Sequence, residues 1–218
     1  MKTKNINSIA LAITILATAA PFSGFAASAG YKKADKTGAG IAECREEIVN
    51  GKKAIDACMN SLSAIAATAN TDPRKAFKQY SKNVDKLEDT AAKVRKRAQS
   101  MREKGQAYFK QWEKELAEVN DPEIRNLATA RKAKLQETFE SIRKYSEPLK
   151  AQFDPWMADL KDLQKYLSND LTIAGVDAAK GLFSRTTNEG LEVQKSMDAL
   201  VAELNTIAAT ITPAKAGK

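Results

Sequence analysis

The sequence predicts an all-α fold, an elongated antiparallel helical bundle with coiled-coil-like seams and about four long helices. Three observations point there. Apolar residues recur at alternating steps of three and four from about Ile41 onward, the period of a helix with one buried stripe. In the longest run, Phe77, Tyr80, Val84, Leu87, Ala91, Val94, Ala98, Met101, Gly105, Tyr108 and Trp112 keep that alternation over five heptads. Aromatic residues make up only 6% of the chain while alanine is abundant, which suits narrow helix-to-helix seams better than a broad globular core.

The elements follow in order. Residues 1–29 carry Lys2 and Lys4, an apolar run from Ile9 to Ala20, Pro21, and a small-residue segment ending Ala27-Ser28-Ala29. This is the pattern of a secretory signal with cleavage between Ala29 and Gly30. Its apolar run is too short for the roughly 20 residues of a membrane span. The expected mature protein, residues 30–218, is one elongated helical-bundle domain, periplasmic or secreted and soluble once the signal is removed. Loss of two lysines lowers the net charge from +8 to 35 − 2 − 27 = +6.

The first mature helix is expected over about 40–69. Within it Ile41, Cys44, Ile48, Gly51, Ile55, Cys58, Leu62 and Ile65 hold the alternation across Asn50-Gly51, so one helix accounts for the segment better than a hairpin. The two sulfurs then share a face about 21 Å apart along the axis, far beyond the roughly 7 Å limit on Cα separation for a disulfide. Cys44 and Cys58 are expected as free, buried, small core residues, and any disulfide would have to join two chains.

Asn70-Thr71-Asp72-Pro73 and Asn120-Asp121-Pro122-Glu123 each place an aspartate before a proline suited to the first helical turn. They bracket a helix over 73–119 and open another over 122–168, joined by a turn so short that the two run antiparallel. The second seam comprises Ile124, Ala128, Leu135, Phe139, Ile142, Leu149, Phe153, Trp156, Leu160, Leu163 and Leu167. Its phase continues across Pro148 and Asp154-Pro155, which predicts a kinked helix rather than a reversal. A short helix is expected at about 172–183. Thr186 and Glu189 then have the spacing of a capping box that would open a last helix over 187–211, followed by a tail without structure.

The residue inventory points away from catalysis. The chain has no histidine, which removes Ser-His-Asp and Cys-His nucleophile systems and the usual zinc and di-metal sites. Glu46-Glu47 and Glu113 with Glu115 are the nearest approach to paired carboxylates, but residues one or two apart on a helix do not face each other. No cofactor or metal is expected. The segment TGAG at 37–40 lacks the lysine and preceding strand of a phosphate loop. Lys93, Arg95, Lys96, Arg97, Arg102 and Lys104, with Arg143 and Lys144 returned to the same level, form a candidate basic band for an anionic lipid or cell-wall surface. No nucleic-acid partner is expected, since the chain has neither a recognition motif nor clustered aromatics.

The segments AYFKQWEKELAEVNDPEIRNLATARKAKLQETF, SEPLKAQFDPW and LQKYLSNDLTIAGV resemble a family of exported bacterial helical proteins catalogued as domain of unknown function twenty-nine fifty-nine. The similarity extends from Tyr31 to about Ile211. It implies a long helical fold in the cell envelope, and it brings no site residues with it. In that family small residues such as alanine often stand where this chain has Cys44 and Cys58, which argues against an essential disulfide. The expected function is therefore a non-enzymatic envelope structural or adaptor protein, acting through helical contacts with another envelope protein or by self-association. Peripheral binding to an anionic surface and a chaperone-like holdase are the alternatives.

Overall fold

The computed structural model describes residues 29–211. The expected signal segment up to residue 28 and the expected tail after Ile211 lie outside the described residues. Five helices make an all-α bundle: α1 Ala29–Thr68, α2 Arg74–Ala117, α3 Pro122–Glu140, α4 Ile142–Asn169 and α5 Ile173–Ile211. At 44 residues, α2 is about 66 Å long. No helix among the described residues is long and apolar enough to cross a membrane.

Neighbouring helices run antiparallel, as their cross-links show. The amide of Gly30 meets Glu115, Thr37 meets the Lys104 carbonyl and Asn83 meets the Ala57 carbonyl, so α2 retraces α1. The Tyr80 hydroxyl donates to the Leu160 carbonyl at 2.7 Å and Arg95 pairs with Asp154, which sets α4 against α2. On the far side Trp156 reaches the Thr186 carbonyl, and Lys52 of α1 pairs with Asp198 of α5. The seams thus close within one chain, α1 to α2 to α3 and α4 to α5 and back to α1.

Each helix contributes a heptad stripe to this core. On α1 it is Ala34, Thr37, Ile41, Cys44, Ile48, Gly51, Ile55, Cys58, Leu62 and Ile65, all buried. On α5 the same alternation runs through Val176, Ala179, Phe183, Thr186, Gly190, Val193, Met197, Leu200, Leu204, Ile207 and Ile211. Small residues on these stripes let the helix axes approach closely and lose little side-chain entropy on burial.

Three boundaries differ from the sequence expectation, each for a tertiary reason. Helix α1 is already formed by Ala29, eleven residues before the expected start near 40. The Thr37 hydroxyl caps nothing there; it donates to Lys33 O at 2.9 Å and Lys104 O at 3.1 Å, tying the first turns to α2. The expected single helix over 122–168 is interrupted once, at Ser141, and not at a proline. The Ser141 hydroxyl donates to the Thr138 carbonyl at 2.6 Å and also meets Glu203 of α5, an alternative to the regular ladder that loosens the backbone there. Pro148 and Pro155 lie inside α4 without ending it.

The third difference is at the last helix. The expected short helix over 172–183 and the later helix over 187–211 are one continuous α5, and the Thr186–Glu189 capping box does not form. Thr186 sits in mid-helix with its Oγ1, like Glu189 Oε2, buried and without a hydrogen-bond partner. The cap is built earlier: Thr172 Oγ1 accepts from the Gly175 amide at 3.1 Å, while Asp170 accepts from the Thr172 hydroxyl and amide. Those bonds, the hydroxyl's first, hold the Asp170 carboxyl below the usual range. At the α2–α3 turn the sequence reading and the structure agree, with Asp121 accepting from the amides of Glu123 at 2.8 Å and Ile124 at 3.0 Å.

Candidate interaction surface

The bundle does not cover α3. Of its 19 residues only Leu135 and Phe139 are buried. Phe139 packs edge-on to Phe109 of α2, with ring centroids 5.9 Å apart, and Phe109 continues into Tyr108 and Trp112. Beyond that aromatic cluster α3 lies mainly along the end of α2. Lys132 pairs with Glu113, and Arg125 donates to the Val119 carbonyl across the turn. Ile124 lies on the stripe that Leu135 and Phe139 bury further along and Leu127 on its flank, yet they are 56% and 76% exposed. Ile124, expected in the second seam, is therefore a surface residue, and Ala128 is only half-buried. The apolar stripe of α3 runs past the level at which its own neighbours cover it.

The basic residues are dispersed rather than banded. Arg95 turns to α4, pairing with Asp154 at 2.9 Å and lying over the Phe153 ring at 5.9 Å. Arg97 and Lys104 turn the other way, to Glu43 of α1, at 3.1 and 3.4 Å. Arg102 donates to Gln99, and Arg143 pairs with Glu147 on its own helix, which holds the Arg143 guanidinium above its ordinary pKa through that hydrogen bond. Lys93, Lys96 and Lys144 are exposed, and none of them makes an ion pair among the described residues. Residues two apart on a helix point about 200° apart, so a dense cationic run in sequence is shared between two interhelical seams. Exposed pairs of this kind contribute little stability, yet they cancel the charge that a docking band would present.

Neither cysteine is placed for a bond or for reactivity. Cys44 and Cys58 are free and buried on the unbroken α1. Burial pushes the Cys44 thiol up to about 11, against a smaller opposing effect of Arg102, and the Cys58 thiol up to about 12. Starting from 9.0, these values cut the thiolate fraction near pH 8 about a hundredfold and a thousandfold. Alkylation of native protein by a small maleimide should therefore be slow at both sites, slower at Cys58, and rapid once urea is added. Fast native labelling of either residue would contradict the packing of α1.

Chemistry elsewhere is sparse. Among the described residues no three potential ligands are grouped to hold a metal ion. Glu113 and Glu115, separate on α2, engage Lys132 and the Gly30 amide respectively. One open groove runs along α5 beside Asn188, Leu191 and Lys195, and a smaller one lies between Asp162, Tyr166 and Arg185. Ile124 is what sequence reasoning misplaced, because its heptad position looks like core, and only the extent of the neighbouring helices reveals it as surface, with Leu127 exposed beside it.

No curated protein and no solved structure matches this chain. The family model described as protein of unknown function (DUF2959) matches residues 24–211, which include every described residue, and the protein belongs to that family.

Proposed function

We propose that the protein is a non-enzymatic adaptor of the cell envelope that binds a second protein through helix-to-helix contact, with the α2–α3 tip as its contact surface. The placement in the envelope rests on the signal-like segment at residues 1–29. The observation that carries the contact surface is the exposure of Ile124, on the stripe that Leu135 and Phe139 bury, together with Leu127 on its flank. A partner helix laid along α3 would extend that stripe and remove both side chains from water, the usual anatomy of helix recognition. The tight interior opposes the holdase alternative: Ile55, Cys58, Ile65, Leu160, Leu167 and Leu204 are all fully buried, leaving no client-sized space between splayed helices.

A photo-crosslinking residue at Leu127 in living cells tests this reading. It should give one adduct of defined mass, and Ile124→Asp should abolish it. That substitution should leave stability within about 0.5 kcal/mol, because the site is on the surface. Absence of any adduct, with the protein strictly monomeric at high concentration, would sink the proposal, and an adduct at twice the chain mass would identify a second copy as the partner. The second reading, attachment to an anionic surface, draws on exposed Arg131 and Lys134 beside the same tip. It requires binding to anionic vesicles that weakens as salt screens surface charge over about 10 Å at 0.1 M.

A further inference from the structure

We propose that the structure contains a built receptor for a processed N-terminus: cleavage after Ala29 leaves an α-ammonium on Gly30, and Glu115 of α2 receives it. The cleavage site is read from Ala27-Ser28-Ala29, so the inference rests on the export reading. The receptor is read from the geometry, independently of that motif.

Gly30 is buried, and its backbone nitrogen donates to Glu115 Oε1 at 2.7 Å across 85 residues of sequence. The first nitrogens of a helix have no partner within it and are ordinarily capped by a nearby side chain. Here the acceptor comes from the other end of the α1–α2 hairpin. A Cβ at residue 30 would meet Glu115 Oε2 and stand 3.1 Å from its Cδ and 3.2 Å from Oε1, so a larger residue would turn the carboxylate away from this nitrogen. Gln111 Nε2 donates to the same Oε1 at 3.2 Å and holds the carboxylate in place.

Hydrolysis of the Ala29–Gly30 bond adds water, leaving a carboxylate on Ala29 and an amine on Gly30 that takes up a proton. The same nitrogen then carries a formal positive charge 2.7 Å from a carboxylate oxygen. A charge-assisted hydrogen bond of this kind is about twice as strong as the neutral one it replaces. It also offsets the unfavourable placement of a cation at the positive end of the α1 dipole. Processing would thereby lock the start of α1 onto α2.

The full chain, expressed with its own N-terminus in a bacterial host, gives the first readout by intact mass. The expected chain begins at Gly30. Forms beginning at Gly30 and at Ala27 are then melted, each with Glu115 and with E115Q. The Gly30 form should melt about 2–4 °C above the Ala27 form, and E115Q should erase that difference. Cleavage elsewhere, or none, overturns the export reading and the inference with it. Cleavage at Gly30 with equal melting of the two forms, or with a difference that persists in E115Q, overturns the receptor alone.

Discussion

Trp156→Ala should be the most damaging single truncation in the chain, lowering stability by about 3–5 kcal/mol, the usual cost of emptying a buried tryptophan site. Trp156 is 2% exposed on α4 and joins three helices. Its Nε1 donates to the Thr186 carbonyl of α5 at 2.7 Å, and its ring stands edge-on to Phe153 at 5.9 Å. Gly190 of α5 and Met59 of α1 close over it: a Cβ added at Gly190 would lie 2.9 Å from Trp156 Cζ2 and 2.8 Å from Met59 Sδ. Because α5 packs on both α4 and α1 at this level, the cavity cannot be filled by movement of a single helix. Trp156→Phe separates the two contributions. It keeps most of the apolar area and removes the donor, so about 1–2 kcal/mol should be lost, in line with one buried hydrogen bond and a modest void. Urea denaturation measures both. A cost under about 1 kcal/mol for Trp156→Ala would mean that α4 and α5 do not pack as described.

The same point of contact explains what the sequence could and could not disclose. Where the stripe has large residues at most positions, from Phe77 to Trp112 on α2 or from Leu149 to Leu167 on α4, periodicity alone identifies the helix and its buried face. Phase also carried the second seam correctly across Pro148 and Pro155. Where the stripe passes through small or polar residues, local signals compete and win on paper. Thr186 and Glu189 have capping-box spacing, and the first helix is expected only from about 40, yet Ala34, Thr37, Ala179, Thr186 and Gly190 are heptad positions packed against neighbouring helices. Tertiary burial outweighs a cap that is worth about 1 kcal/mol, even at the cost of leaving Thr186 Oγ1 without a partner.

The candidate surface was less legible for a related reason. A linear sequence gives the face of a helix but not the length of its neighbours. Ile124 has the phase of a core residue and lies beyond the cover, whereas Arg95 and Arg97, two apart in a basic run, are divided between α4 and α1. Interaction surfaces on a helical rod are set by where helices end. Charge density along the chain is a poor guide when antiparallel neighbours supply carboxylates at matching levels.

Gly105→Ala should destabilise the protein although it replaces a poor helix former by the best one. In an exposed helix interior the change would add about 1 kcal/mol of stability. Gly181 of α5 provides that baseline, being exposed with no atom within 4 Å of an added Cβ, and Gly181→Ala should gain roughly 0.5–1 kcal/mol. At Gly105 of α2 the added Cβ would overlap the Phe139 ring of α3, 2.6 Å from Cε1 and 2.9 Å from Cε2. Phe139 is 8% exposed and wedged against Phe109, so its rigid ring has little freedom to retreat. Overpacking of this kind costs about 1–3 kcal/mol and should exceed the propensity gain. The test is a double-mutant cycle with Phe139→Leu, whose smaller side chain vacates the space in front of the glycine. In that background Gly105→Ala should become neutral or stabilising, a coupling of at least about 1 kcal/mol between the two sites. If Gly105→Ala stabilises the otherwise unaltered chain as Gly181→Ala does, α3 does not dock on α2 through Phe139, and the tip that bears Ile124 and Leu127 is not held where the proposed contact requires it.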